Sequence, residues 1–123
     1  MRLLIIDDHP AFRQALFKML EQVVGIEIVG QAGDGREGLK LAAELKPDTV
    51  VVDFSMPELD GPGVTRQLKA WPKPPRVRMM SFHAEPEYRD RALAVGADAF
   101  ITKADLHKDL MPLLQRFIGA KDG

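Results

Sequence analysis

The chain has 123 residues, a length that suits one compact domain. Hydrophobic residues at 46% and charged residues at 28% make an ordinary globular composition and exclude a disordered one. The formal net charge of -1 gives no global field for nucleic acid, and the absence of cysteine excludes disulfides, thiolate metal sites and thiol catalysis.

After Met1-Arg2 the chain enters Leu3-Leu4-Ile5-Ile6, a short branched run closed by two acids. It is too brief for a signal peptide or a membrane span and reads as a buried parallel strand. A cytoplasmic protein without membrane contact is therefore expected. Phe12, Leu16, Met19, Leu20 and Val23 follow at helical spacing. Ile26 to Val29 reads as a second strand, and Gly33-Asp34-Gly35 as a turn. Leu39, Ala42, Ala43 and Leu45 stripe a second helix that Pro47 stops. Thr49 to Val52 is the most β-branched strand. Val64, Leu68 and Trp71 mark a third helix ended by Pro72. Pro74-Pro75 forces an extended approach to a fourth strand, Val77 to Met80. Tyr88, Ala92 and Val95 belong to a fourth helix with Gly96 as its C-cap. Ala99 to Ile101 is a fifth strand. Leu106, Leu110, Leu113, Leu114 and Phe117 stripe a last helix, with Pro112 tolerated near its first turns.

Five β–α units predict an α/β fold, a parallel sheet with helices on both faces. Ligands of such folds bind outside the carboxyl ends of the strands, where strand order reverses. That edge collects Asp7-Asp8 after the first strand, Asp53 after the third, Ser81 after the fourth and Thr102-Lys103 after the fifth. Each has a plain structural reading. Asp7 and Asp8 sit where a helix cap is wanted, before Pro10. Asp53 can begin a turn, Ser81 can end a strand, and Lys103 can be a solvated lysine. Together they are harder to explain as structure. Three clustered carboxylates repel one another at a partly desolvated edge. A hard divalent cation such as Mg²⁺ resolves the repulsion and shares its other positions with water and phosphate oxygens. With a lysine and a hydroxyl opposite, a carboxylate nucleophile has the equipment for phosphoryl transfer.

The motifs Asp7-Asp8-His9-Pro10, Asp53 to Gly61, Met80 to His83 and Gly96 to Lys103 resemble, in this order, the receiver domain of bacterial two-component response regulators. Ser81 to Lys103 is most similar to the NarL/FixJ (LuxR-type) subgroup. The resemblance covers nearly the whole chain and implies one receiver domain over residues 1–123. It implies a flavodoxin-like, doubly wound, five-stranded parallel sheet of order 2-1-3-4-5 with five helices on both faces. Residue by residue, it makes Asp53 the phospho-acceptor and assigns Mg²⁺ to Asp7, Asp8, Asp53 and the backbone carbonyl of Ser55. It makes Lys103 the partner of the phosphoryl oxygens, Ser81 the switch hydroxyl and Phe100 the aromatic residue whose rotamer follows Ser81. Gly61 matches a loop-shaping glycine. The implied partners are a sensor histidine kinase or phosphotransfer protein, an output domain or downstream protein, and a second copy in a phosphorylation-dependent homodimer. Direct nucleic acid binding by this segment is not expected, although the subgroup suggests a transcriptional output elsewhere.

Departures from the family pattern set further expectations. Phe82 follows the switch serine where many receivers carry a smaller residue or methionine, so it either narrows access to Asp53 or leans over the fourth helix. Ala104 replaces the proline common after the lysine, which leaves the Lys103–Ala104 peptide geometry open. Ser55 and His83 lie two residues beyond Asp53 and Ser81, where the family tunes phosphate lifetime. As residues, His83 and His9 read first as surface histidines. The alternative class is a receiver-like interaction module that never takes phosphate, and the complete set Asp7, Asp8, Asp53, Ser81 and Lys103 argues against it. An aspartyl phosphatase commonly needs a second acid two residues after the nucleophile, where this chain has Ser55. A flavodoxin-like cofactor protein lacks support because no glycine-rich loop follows the first strand.

Overall fold

The structure, a computed structural model, describes residues 1–122. The side chains of Phe117 and of residues 119–122 lie outside the described residues, so the expected place of Phe117 in the last stripe is not among them. Strands and helices alternate as β1 (Arg2–Ile6), α1 (Pro10–Glu21), β2 (Glu27–Ala32), α2 (Gly35–Leu45), β3 (Thr49–Asp53), α3 (Gly61–Lys69), β4 (Arg76–Ser81), α4 (Pro86–Ala94), β5 (Ala99–Thr102) and α5 (Leu106–Asp122). A 3₁₀ turn, Lys103–Asp105, joins β5 to α5. All strand pairs are parallel, in the order β2-β1-β3-β4-β5. This is the doubly wound, flavodoxin-like architecture expected from the alternation, and the order reverses at β1 and β3.

The period-two alternation of the strands divides the core. Leu4, Ile6, Val50, Val52, Val77, Met79 and Phe100 face one side and pack with Ala42, Val64, Leu68 and Ala92 of α2, α3 and α4. Leu3, Ile5, Val51, Met80 and Ile101 face the other and pack with Leu16 and Leu20 of α1 and Leu106, Leu110 and Leu114 of α5. Each fully buried aliphatic side chain contributes roughly 1.5–3 kcal/mol of transfer free energy, so the sheet is held from both faces.

Several boundaries differ from the sequence reading. β2 runs on to Ala32 because its partner β1 pairs with it there, and Ile5 and Ile6 face Gln31 and Ala32 despite the absence of branched residues. A bulge between Leu3 and Leu4 absorbs one residue of register. Val23 and Trp71 fall just past their helices, and Ala43 is exposed. Pro112 lies inside α5, where it removes the donor for the Lys108 carbonyl; Lys108 is exposed and water can serve it. Gly96 follows α4 at φ 100, the left-handed conformation a C-cap glycine supplies. No peptide bond among the described residues is cis, which makes Lys103–Ala104 trans.

Candidate functional site

The carboxyl edge of the sheet assembles the site. Asp7 and Asp8 leave β1, Asp53 is the last residue of β3, Ser81 the last of β4, and Lys103 the first residue after β5. Asp7, Asp53, Ser81 and Lys103 are all buried, with relative exposures of 0%, 2%, 1% and 6%. Neither acid of β1 caps α1. Its N-cap is His9, which makes no side-chain cap hydrogen bond. Instead Asp7 Oδ1 accepts the backbone N–H of His9 at 2.8 Å, and Arg13 donates to the Asp7 carbonyl. The turn after β1 thus holds Asp7 inward.

The loop after β3 shapes the neighbouring edge. The N–H of Leu59 donates to the Pro57 carbonyl at 2.8 Å around Glu58, whose φ is 68. That is a tight γ-turn of the rare strained kind. Asp60 then caps α3 by accepting from Gly63 N–H at 2.9 Å. Gly61 passes so close to Asp53 that a Cβ there would stand 2.5 Å from the Asp53 carbonyl oxygen. Only glycine allows that approach. Ser55 is exposed on the same loop.

Lys103 bridges the two buried acids, with Nζ 2.9 Å from Asp7 Oδ2 and 3.3 Å from Asp53 Oδ1. The rings of Phe12 and Phe82 flank the ammonium, at 4.1 and 4.3 Å from their centroids. This pins the lysine between two acids and two aromatic faces. Phe82 itself is 63% exposed and stands at the mouth of the site, edge-on to His9 and Phe12. Ser81 Oγ accepts the backbone N–H of His83 at 2.9 Å, which leaves its own O–H to donate. His83 is exposed, stacked on Tyr88 at 4.6 Å and 3.7 Å from Glu85. Phe100 is 8% exposed and already turned into the core, so an inward rotation has little surface left to hide.

The electrostatics single out Asp53. Burial, then the charge of Asp7, pushes its carboxyl from 3.8 to about 6, although Lys103 and His9 pull the other way. Asp53 Oδ2 and Asp8 Oδ1 are buried and accept no hydrogen bond. His9 is a surface histidine, as its residue type suggests, and it also reaches the acids. Its Nδ1 lies 3.1 Å from Asp7 Oδ1, 3.0 Å from Asp8 Oδ1 and 3.4 Å from Asp53 Oδ2, while the side chain as a whole stays 47% exposed. Phe12 and Arg13 escaped notice as site residues. The only available signal was their position one helical turn after Asp8.

Residues 3–115 match the response regulator receiver domain family. The chain belongs to that family. It is 35% identical to the response regulator GacA of Pseudomonas aeruginosa over 98% of its own length and 56% of that protein. It is 39% identical to a protein-glutamate methylesterase/protein-glutamine glutaminase of Geobacter sulfurreducens over 83% of its length and 27% of that protein. The signal receiver domain of the response regulator NarL from Mycobacterium tuberculosis superposes with a TM-score of 0.88 at 30% identity, covering 96% of this chain and 95% of that one. The chain thus spans about half, or less, of the curated relatives it matches. The receiver domain is a module of phosphorylation-dependent signalling in two-component systems, and this one is of the NarL-like kind.

Receivers bind Mg²⁺ at an acidic pocket. The residues present suit such an ion: ligand atoms of Asp7, Asp8, His9 and Asp53 all lie within 4.8 Å of one another, and two buried carboxylate oxygens among them want a partner. No described helix is long and apolar enough to cross a membrane.

Proposed function

We propose that Asp53 accepts a phosphoryl group from the phosphohistidine of a sensor histidine kinase or phosphotransfer protein, and that the resulting charge switches the surface offered to an output domain. The observation that carries this reading is the state of Asp53: one oxygen is held by Lys103, while the other is buried without a hydrogen bond and faces the acids of β1. A carboxylate oxygen of Asp53 forms the new bond to phosphorus as the phosphorus–nitrogen bond of the donor breaks, and that electron pair stays on the donor imidazole. Asp7, Asp8, Asp53 and the Ser55 carbonyl would hold Mg²⁺, which when bound neutralises charge on the phosphoryl oxygens.

Lys103, which holds both Asp7 Oδ2 and Asp53 Oδ1, would pair with a phosphoryl oxygen. Ser81 has a proton to donate to a second one. Phosphorylation adds roughly two negative charges and three acceptor oxygens. Ser81 and Lys103 then gain partners that a bare carboxylate supplies only in part. Because Phe100 is already buried, we read its switch as a change in how firmly the inward rotamer is held. A coupling of roughly 1–3 kcal/mol is sufficient to bias the β5 surface. The output is a further domain or a separate protein, the active form a homodimer, and the setting the cytoplasm.

Incubation with acetyl phosphate and Mg²⁺, followed by intact-mass measurement, tests the assignment. One labile phosphate is expected on the wild type and none on Asp53→Asn. An adduct that survives the substitution, or none on wild type with any donor including a kinase, overturns it.

A further inference from the structure

The three acids and Lys103 do not exhaust the centre. Each of the two buried acids uses its oxygens in opposite directions. Asp7 Oδ2 and Asp53 Oδ1 turn to Lys103, while Asp7 Oδ1 and Asp53 Oδ2 turn to His9, where Asp8 Oδ1 joins them. His9 Nδ1 therefore lies on the side away from the lysine. Its distances to the three oxygens are 3.1, 3.0 and 3.4 Å. Donor atoms on adjacent corners of an octahedron with bonds of about 2.1 Å are separated by about 3.0 Å. The distances to Asp7 and Asp8 match that spacing, and the one to Asp53 is a little longer.

Hydrogen bonding alone explains the cluster poorly. The imidazole nitrogen is within hydrogen-bond reach of Asp7 Oδ1 only with suitable geometry. Asp8 Oδ1 is as near, and Asp53 Oδ2 not much farther, yet both accept no hydrogen bond and are buried. One ligand atom from each of Asp7, Asp8, His9 and Asp53 lies within 4.8 Å of the others. Asp53 is 2% exposed, so its free oxygen has little access to bulk water as a substitute. The ring is held in place: the His9 backbone N–H is tied to Asp7 Oδ1 at 2.8 Å, and the ring stands edge-to-face on Phe82 at 5.5 Å.

We propose that His9 Nδ1 is a nitrogen donor to the metal of this site, which makes the centre a mixed nitrogen–oxygen one that favours late first-row divalent cations. Mg²⁺ prefers oxygen ligands and gains little from an imidazole, whereas Co²⁺, Ni²⁺ and Zn²⁺ gain substantially from one. His9 thus tilts the metal preference of an otherwise all-oxygen pocket. The inference rests on the metal-site part of the proposed function. It is measured without any phosphodonor, so its failure leaves the phosphorylation of Asp53 standing.

Calorimetric titration of wild type and His9→Ala with NiCl₂ and with MgCl₂ reads the effect. The substitution is expected to weaken Ni²⁺ by about tenfold or more and Mg²⁺ by less than about threefold. In parallel, ¹⁵N NMR of the wild-type histidine rings is expected to show His9 Nδ1 shift on stoichiometric Zn²⁺, with His83 and His107 as unshifted references. Two results would overturn the proposal. One is a His9→Ala variant that binds both metals more tightly, because the ring was then only a competing positive charge. The other is a zinc titration that leaves His9 Nδ1 unmoved.

Discussion

Asp53 and Asp98 are both partly desolvated aspartates within reach of a lysine, at opposite edges of the same sheet. Their chemistry diverges. Burial alone would raise the carboxyl of Asp98. The hydrogen bond from Lys69 Nζ at 2.6 Å, that from Val77 N–H at 2.8 Å, and the charges of Lys69 and Arg78 more than offset it and hold the group below its ordinary value. Asp53 has a lysine too, but shares it with Asp7 and leaves one oxygen without a donor, so burial prevails and its carboxyl rises to about 6. A saturated acid ties strands together. An unsaturated one leaves a buried oxygen without a donor, and the fold carries the cost.

The largest effect is expected at the saturated acid. Asp98→Ala strands the Val77 N–H and leaves the Lys69 ammonium to the Pro75 carbonyl alone, and should cost about 3 kcal/mol in urea unfolding at pH 7. Because the folded-state value of Asp98 is lowered, its contribution is present above 3.8 and fades as pH falls through the depressed value. A loss under 1 kcal/mol would remove the contrast. Next comes the metal. Mg²⁺ at about 100 times its dissociation constant should stabilise wild type and Asp98→Ala equally, by about 2.7 kcal/mol, and Asp53→Asn far less. Equal stabilisation of all three would place the ion elsewhere.

A smaller effect has the opposite sign. Without metal, Asp53→Asn should be more stable than wild type at pH 7 by about 2 kcal/mol. Asp53 is raised from 3.8 to about 6 in the folded state, so its burden is absent below 3.8 and complete above about 6. Urea midpoints taken across that window in EDTA should converge as the pH falls. A destabilised variant at pH 7 would contradict the reading. The smallest change belongs to the aromatic clamp. Phe82→Ala should remove only about 0.5–1 kcal/mol from the hold on Lys103. It should also open the mouth and speed labelling by acetyl phosphate, and equal labelling rates would retire Phe82 as a gate.

Much of this was legible in the residues. Short branched runs ending in Asp7, Asp53, Ser81 and Lys103 predicted both the sheet and the edge where chemistry gathers, because buried parallel strands are written in consecutive apolar residues. β2 was underestimated at Gly30-Gln31-Ala32, where pairing with β1 overrides local preference. The exposure of His9 was legible, but its approach to the acids was not. Its place is set by a backbone fold-back onto Asp7 and by contact with Phe82, two residues that sequence spacing does not bring together. Phe12 reads as an ordinary member of a helical stripe, and nothing in that stripe announces a lysine arriving from 91 positions later. Saturation, the property that separates Asp53 from Asp98, belongs to three-dimensional neighbours and has no linear signature.

The bridge from Lys103 to Asp7 also has a consequence for synthesis. The two residues are 96 positions apart, so they close one of the longest loops the chain can make. A polypeptide leaving the ribosome presents Asp7, Asp8 and Asp53 well before their balancing ammonium has been translated. The entropy of closing that loop is spent before the contact returns anything. The acidic edge therefore acquires its working charge only when the last β–α unit docks, and a partially made chain carries the acids of a receiver without the balance of one.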